Sequence, residues 1–82
     1  MKSAKEMFEK LGFDCRDDRK LSGLPLSISY VKSNEYTSNG YCLYINFILP
    51  DKCWRTNIDN VLKNDHLMKA INEQIKELNW ND

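Results

Sequence analysis

His66 is the chain's one histidine, and Cys15, Cys42 and Cys53 are its three cysteines. For His66 to act as a general base it needs a nucleophile or acid within about 3 Å. Asp65 is adjacent in sequence and so does not face it as a partner four residues away on a helix would. We read His66 as an exposed residue in the first turn of the last helix. Zinc sites pair Cys or His two to four residues apart, and no two of these four residues are so spaced. Calcium loops alternate oxygen ligands around a glycine and close with a glutamate. Asp14, Asp17 and Asp18 lack both the spacing and the closing residue. Gly12, Gly23 and Gly40 are too scattered to cradle a phosphate. The residues therefore assign no catalytic group, no metal and no cofactor, and the chain is read as a protein that is not an enzyme.

Aromatic residues offer a different chemistry. Tyr30, Tyr36, Tyr41, Tyr44, Trp54 and Trp80 combine apolar area with a polar handle, which favours such types at protein interfaces. Tyr30, Tyr41 and Trp54 are expected to complete a small core. Tyr44 shares a strand face with Cys42, Asn46 and Ile48, and Asn46 marks that face as the wetter one. If the next strand turns Cys53 and Arg55 to the same side, an apolar patch with a charged rim results. Tyr44, Ile48, Cys53 and Arg55 are the candidate protein-binding residues, for an unidentified partner protein or a second copy of the chain.

Those residues need elements to position them. Ser3 followed by Glu6 is a capping box, in which each side chain satisfies a backbone donor of the first turn. Ala4, Met7, Phe8 and Leu11 share one arc of a helix over residues 4–11. Gly12 then supplies a left-handed stop, with Phe13 folding back on Phe8. Residues 14–24 alternate in charge sign and read as a solvated connection. Pro25 opens a strand over 25–32, placed at or near an edge because its missing donor is tolerated there. Residues 33–40 form a hairpin loop, with Asn39-Gly40 suited to positive φ. A second strand covers 41–49, with Tyr41, Leu43, Ile45, Phe47 and Leu49 on one face, and Pro50-Asp51 turns the chain into a third over 52–58.

The spacing of Met68, Ile71, Ile75 and Leu78, widened by Leu67, predicts a helix over 65–79 with Asn64 as its cap and Asn79 as its stop. The expected fold is one α+β domain over residues 1–82, a three-stranded antiparallel sheet with both helices on one face (αβββα). Its core would comprise Met7, Phe8, Leu11, Leu26, Ile28, Leu43, Ile45, Phe47, Met68, Ile71, Ile75 and Leu78.

Composition restricts the partners. Lys plus Arg number 12 and Asp plus Glu number 12, for a formal net charge of zero, and no basic block breaks the even distribution. Strong attraction to nucleic acid or to an anionic membrane has no basis in such a total. Hydrophobic residues at 41% and charged residues at 29% place the chain among globular proteins. An odd number of cysteines leaves a thiol over in any disulfide scheme, so we expect a reducing, cytoplasmic setting. The start, Met-Lys-Ser-Ala-Lys-Glu, enters no apolar run and predicts no signal peptide, and the longest apolar stretch is far below the roughly 20 residues a membrane span needs.

The order helix, three strands, helix resembles double-stranded-RNA-binding domains in topology. In that family a basic cluster at the start of the second helix contacts phosphates, and a loop residue between the first two strands reaches the minor groove. The matching helix start here is Asn64-Asp65-His66-Leu67-Met68-Lys69, and the loop carries Glu35 but no basic residue. Lys63 and Lys69, helped by Lys20 and Lys32, are the candidate nucleic-acid contacts of this alternative, which ranks below protein binding. Residues 3–13, Ser-Ala-Lys-Glu-Met-Phe-Glu-Lys-Leu-Gly-Phe, and residues 68–80, Met-Lys-Ala-Ile-Asn-Glu-Gln-Ile-Lys-Glu-Leu-Asn-Trp, look like the ends of small uncharacterised proteins of Gram-positive bacteria, their phages and integrative elements. Those proteins tend to carry Gly where this chain has Asn79. The resemblance implies an accessory role and brings no catalytic residue.

Overall fold

The computed structural model describes residues 2–17 and 27–80. Its elements are α1 (Ala4–Lys10), β1 (Asp14–Asp17), β2 (Ser27–Tyr36), β3 (Cys42–Ile48), β4 (Cys53–Thr56) and α2 (Asp65–Glu77), with a 3-10 turn at Val61–Lys63 before α2. The sheet has four antiparallel strands in the order β1-β2-β3-β4, which corrects the expected three. Residues 14–17 belong to the sheet and are not a solvated connection. Asp14, Cys15 and Arg16 alternate charged and apolar, and Asp14–Asp17 pairs with Val31, Tyr30, Ser29 and Ile28. Asp14 and Arg16 thus stand on a short edge strand, where their charges discourage pairing with another chain. The strand expected at 25–32 is consequently an inner strand, and it runs on to Tyr36 through a bulge between Lys32 and Tyr36. Pro25 and Leu26 lie outside the described residues.

Both helices end as the sequence suggested. The N–H groups of Gly12 and Phe13 donate to the carbonyls of Glu9 and Phe8, each at 3.0 Å, with Gly12 at φ +92°. At the end of α2 the same pair of bonds runs from Asn79 to Lys76 and from Trp80 to Ile75, each at 3.1 Å, with Asn79 at φ +59°. These are two copies of one Schellman stop, glycine serving the first and asparagine the second. At the helix starts, Ser3 Oγ accepts from Glu6 N–H at 3.2 Å and Asn64 Oδ1 accepts from Leu67 N–H at 3.1 Å. The Glu6 carboxylate meets the Ser3 hydroxyl at 3.4 Å in place of the expected backbone donor. The first N–H of α1, that of Ala4, donates to Glu77 Oε2 of α2 at 2.7 Å, so a side chain of the last helix caps the first.

The helices pack side by side on one sheet face over an aromatic core. Phe8 stacks on Tyr30 with ring centroids 3.9 Å apart, and Phe13 and Phe47 meet Phe8 edge-on. Trp80, turned inward by its helix stop, packs against Phe47. Phe8, Ile28, Ile45, Phe47 and Ile71 are buried as expected, whereas Met7, Leu11, Met68, Ile75 and Leu78 are partly buried around them. Leu43 is also half-buried. Ala4, Phe13, Tyr30, Val61, Leu67, Ala70 and Gln74 are the other buried residues among those described. Trp54 packs against this cluster, while Tyr41 is exposed and does not contribute to the core expected of it.

Candidate functional site

Among the described residues nothing packs on the sheet face opposite the helices, and that face has a regular grain. Register places Arg16 beside Ser29, Ser29 beside Asn46, and Asn46 beside Arg55. A polar row thus crosses all four strands with a guanidinium at each end. Ser29 Oγ donates to Asn46 Oδ1 at 2.8 Å in the middle of it, a cross-strand pair of the kind that fixes register. On one side of this row Val31 stands beside Tyr44, and on the other Ser27, Ile48 and Cys53 form a third row. The alternation that buries Ile45 and Phe47 is what turns Tyr44, Asn46 and Ile48 to this face.

Tyr44, Ile48, Cys53 and Arg55 are therefore brought onto one surface by the register, with Cys53 directly opposite Ile48. Arg55 and Tyr44 are exposed, and Ile48 and Cys53 are half-buried. Arg16, Ser29 and Val31 join Cys42, Tyr44 and Asn46 in a shallow concavity of about 390 Å³. Arg16 is not among the residues that sequence reasoning finds, because residues 14–17 read as a charged loop. The alternation of charged Asp14 and Arg16 around Cys15 was the signal that could have revealed a strand.

Side chains hold the Tyr44 end of the face where β4 finishes. Tyr44 N–H donates to Asn57 Oδ1 at 2.9 Å, and Asn57 Nδ2 donates to the Cys42 carbonyl at 2.8 Å. Thr56 Oγ1 donates to the Tyr44 carbonyl at 2.6 Å. A carboxamide has the donor and acceptor of a peptide group, so Asn57 extends the ladder by one pairing.

The candidate nucleic-acid residues are less convergent. Lys32 bonds to Glu35 at 2.9 Å and lies over the Phe13 ring at 5.8 Å, which commits its charge locally. Lys63 is exposed on the 3-10 turn, and Lys20 lies outside the described residues. Lys69 lines a groove of about 190 Å³ between the helices with Lys2, Lys10, His66, Met7 and Leu11. The sheet has four strands, one more than the three in the element order of double-stranded-RNA-binding domains.

His66 is exposed in the first turn of α2, as expected. Cys42 and Cys53, in β3 and β4, are free thiols. Among the described residues there is no group of three or more His, Cys, Asp or Glu able to hold a metal ion. No helix among them is long and apolar enough to cross a membrane. Comparison with protein-family models, with curated proteins and with solved structures gives no match.

Proposed function

We propose that this domain is a small accessory protein that does no chemistry of its own and binds another protein, or a second copy of itself, through the open sheet face. The observation that carries this reading is the placement of Tyr44, Ile48, Cys53 and Arg55 on one sheet face, open among the described residues, beside a shallow concavity. Aromatic and aliphatic side chains supply area to bury, and the two arginines at the ends of the polar row supply orientation. A partner carrying carboxylates opposite Arg16 and Arg55 meets that pattern best. The resemblance of the two chain ends to small proteins of Gram-positive bacteria and their mobile elements supports an accessory role.

Light scattering after size exclusion, run from about 10 to 300 µM, separates a self-partner from a different one. Pull-down from a Gram-positive host lysate then compares wild type with Tyr44→Ala and Arg55→Glu. We expect either a dimer that both variants weaken, or a partner protein whose recovery both reduce. Folded variants with unchanged mass and undiminished recovery of the same proteins would show that another surface is used. Nucleic-acid binding through Lys63 and Lys69 is the competing reading. It is supported by the cationic groove beside Lys69 and opposed by the local commitment of Lys32.

A further inference from the structure

The β2–β3 hairpin ends beside a second cleft of about 390 Å³, which shares no lining residue with the concavity of the open face. Tyr36 and Tyr41 line it, and they are 62% and 69% exposed. Phe8, Phe13, Tyr30, Phe47 and Trp80 spend their rings on one another. Neither hairpin tyrosine stacks on another aromatic among the described residues, so both rings are left available beside the cleft that they line. Leu43, Asn39, Asn57 and Asp59 complete the working part of the lining.

The cleft is built before any ligand arrives. Thr37 N–H donates to the Tyr41 carbonyl at 2.7 Å, and Gly40 N–H donates to the Thr37 carbonyl at 2.9 Å. Thr37 Oγ1 also accepts from Tyr41 N–H at 3.2 Å, so the segment between the tyrosines is cross-linked three times. Gly40 makes this closure possible at φ +84°. Asn57 is fixed by its two bonds to β3. Preorganisation of this kind lowers the ordering cost of binding.

Its chemistry selects a ligand class. Aromatic faces stand beside an amide, a carboxylate and loop hydroxyls, and among the described residues no Lys, Arg or His lines the cleft. A phosphate polymer would meet Asp59 with no cation to offset it. A wholly apolar ligand would desolvate the carboxylate and amides without replacing their hydrogen bonds. A pyranose has an apolar C–H face that stacks on a tyrosine ring and a rim of hydroxyls that donate to a carboxylate and exchange hydrogen bonds with an amide. We propose that this cleft binds a neutral sugar, the pyranose end of an oligosaccharide, with Tyr36 and Tyr41 as stacking surfaces and Asp59 as the hydroxyl acceptor. The site stands independently of the sheet-face reading.

The experiment is a titration of ¹⁵N-labelled protein with chitotriose, maltotriose and methyl β-galactoside, each to about 20 mM, with glycerol as the control. At least one sugar is expected to give saturable amide shifts centred on residues 36–43 and 57–59. Tyr41→Ala and the isosteric Asp59→Asn should each weaken that sugar about tenfold or more, whereas Tyr44→Ala should leave it unchanged. Both altered residues are exposed, and Asp59→Asn tests the acceptor even if Tyr41→Ala disturbs the loop. No saturable shift with any of the three sugars, shifts reproduced by glycerol, or shifts centred elsewhere would overturn the proposal.

Discussion

The hydroxyl of Tyr30, on an inner strand, donates to Oε1 of Gln74 on α2, and both residues are buried, Gln74 to 4% exposure. This polar link between sheet and helix sits inside an aromatic core, where an unmet acceptor is expensive. Tyr30→Phe should cost about 1–3 kcal/mol by leaving the Gln74 carbonyl without this donor. Gln74→Met should cost a similar amount by removing the acceptor. The double variant should lose less than the sum, with a coupling of about 0.5–3 kcal/mol in urea unfolding. Strict additivity would mean that the two groups do not depend on each other.

The two helix stops make a second prediction, because Gly12 and Asn79 occupy the same left-handed position with different residues. Asparagine tolerates that region and glycine enters it freely. Asn79→Gly should therefore raise stability by a few tenths to about 1 kcal/mol. Gly12→Ala should lower it by about 1–2 kcal/mol. There the added methyl would also stand 3.1 Å from Lys32 Cε. Thermal or urea midpoints moving in the same direction for both substitutions would contradict the shared role.

Much of this architecture is legible in residue types because the informative signals are local. Ser3, Gly12, Asn64 and Asn79 mark helix ends through backbone needs that no distant contact alters. The faces of β3 follow from period two, which placed Tyr44 and Ile48 together, and the matching alternation of Cys53 and Arg55 put them on the same side. Residues 14–17 escaped because a short edge strand is charged for the reason a loop is charged, its exposure to water. Gln74 escaped because a polar residue on a helix reads as solvent-facing until a buried hydroxyl is found to meet it. The hairpin cleft depends on Asn57 and Asp59 arriving from beyond β4, a juxtaposition that belongs to the fold and not to any spacing along the chain.

Asn57 links the two candidate surfaces, since it supports the Tyr44 backbone and lines the hairpin cleft. Asn57→Ala should cost about 1–2 kcal/mol, the net worth of two hydrogen bonds whose backbone partners water can partly reach. Asn57→Asp keeps the acceptor for Tyr44 N–H and places a second acceptor against the Cys42 carbonyl, so it should be at least as damaging. Hydrogen exchange at the Tyr44 amide reads the effect directly and should accelerate in both variants. An unchanged Tyr44 exchange rate in folded protein would show that the side-chain bridge does not hold this end of the sheet.

Lys63, Lys69 and Lys32 decide between protein and nucleic acid as the partner. Phosphate binding by even three or four lysines would release counterions and weaken measurably between about 50 and 200 mM salt. Lys32 is engaged by Glu35 at 2.9 Å, Asp65 stands in the first turn of α2 between Lys63 and Lys69, and the formal charge of the chain is zero. We therefore expect titration of duplex RNA or single-stranded DNA at the lower salt to give no saturable binding. The paired substitution Lys63→Glu with Lys69→Glu should consequently change nothing measurable in such a titration. Saturable binding at low salt that falls steeply with added salt, and is lost in the paired variant, would place a nucleic acid on the α2 side of the molecule. That outcome would move the function away from the open sheet face, because the two surfaces lie on opposite sides of the sheet.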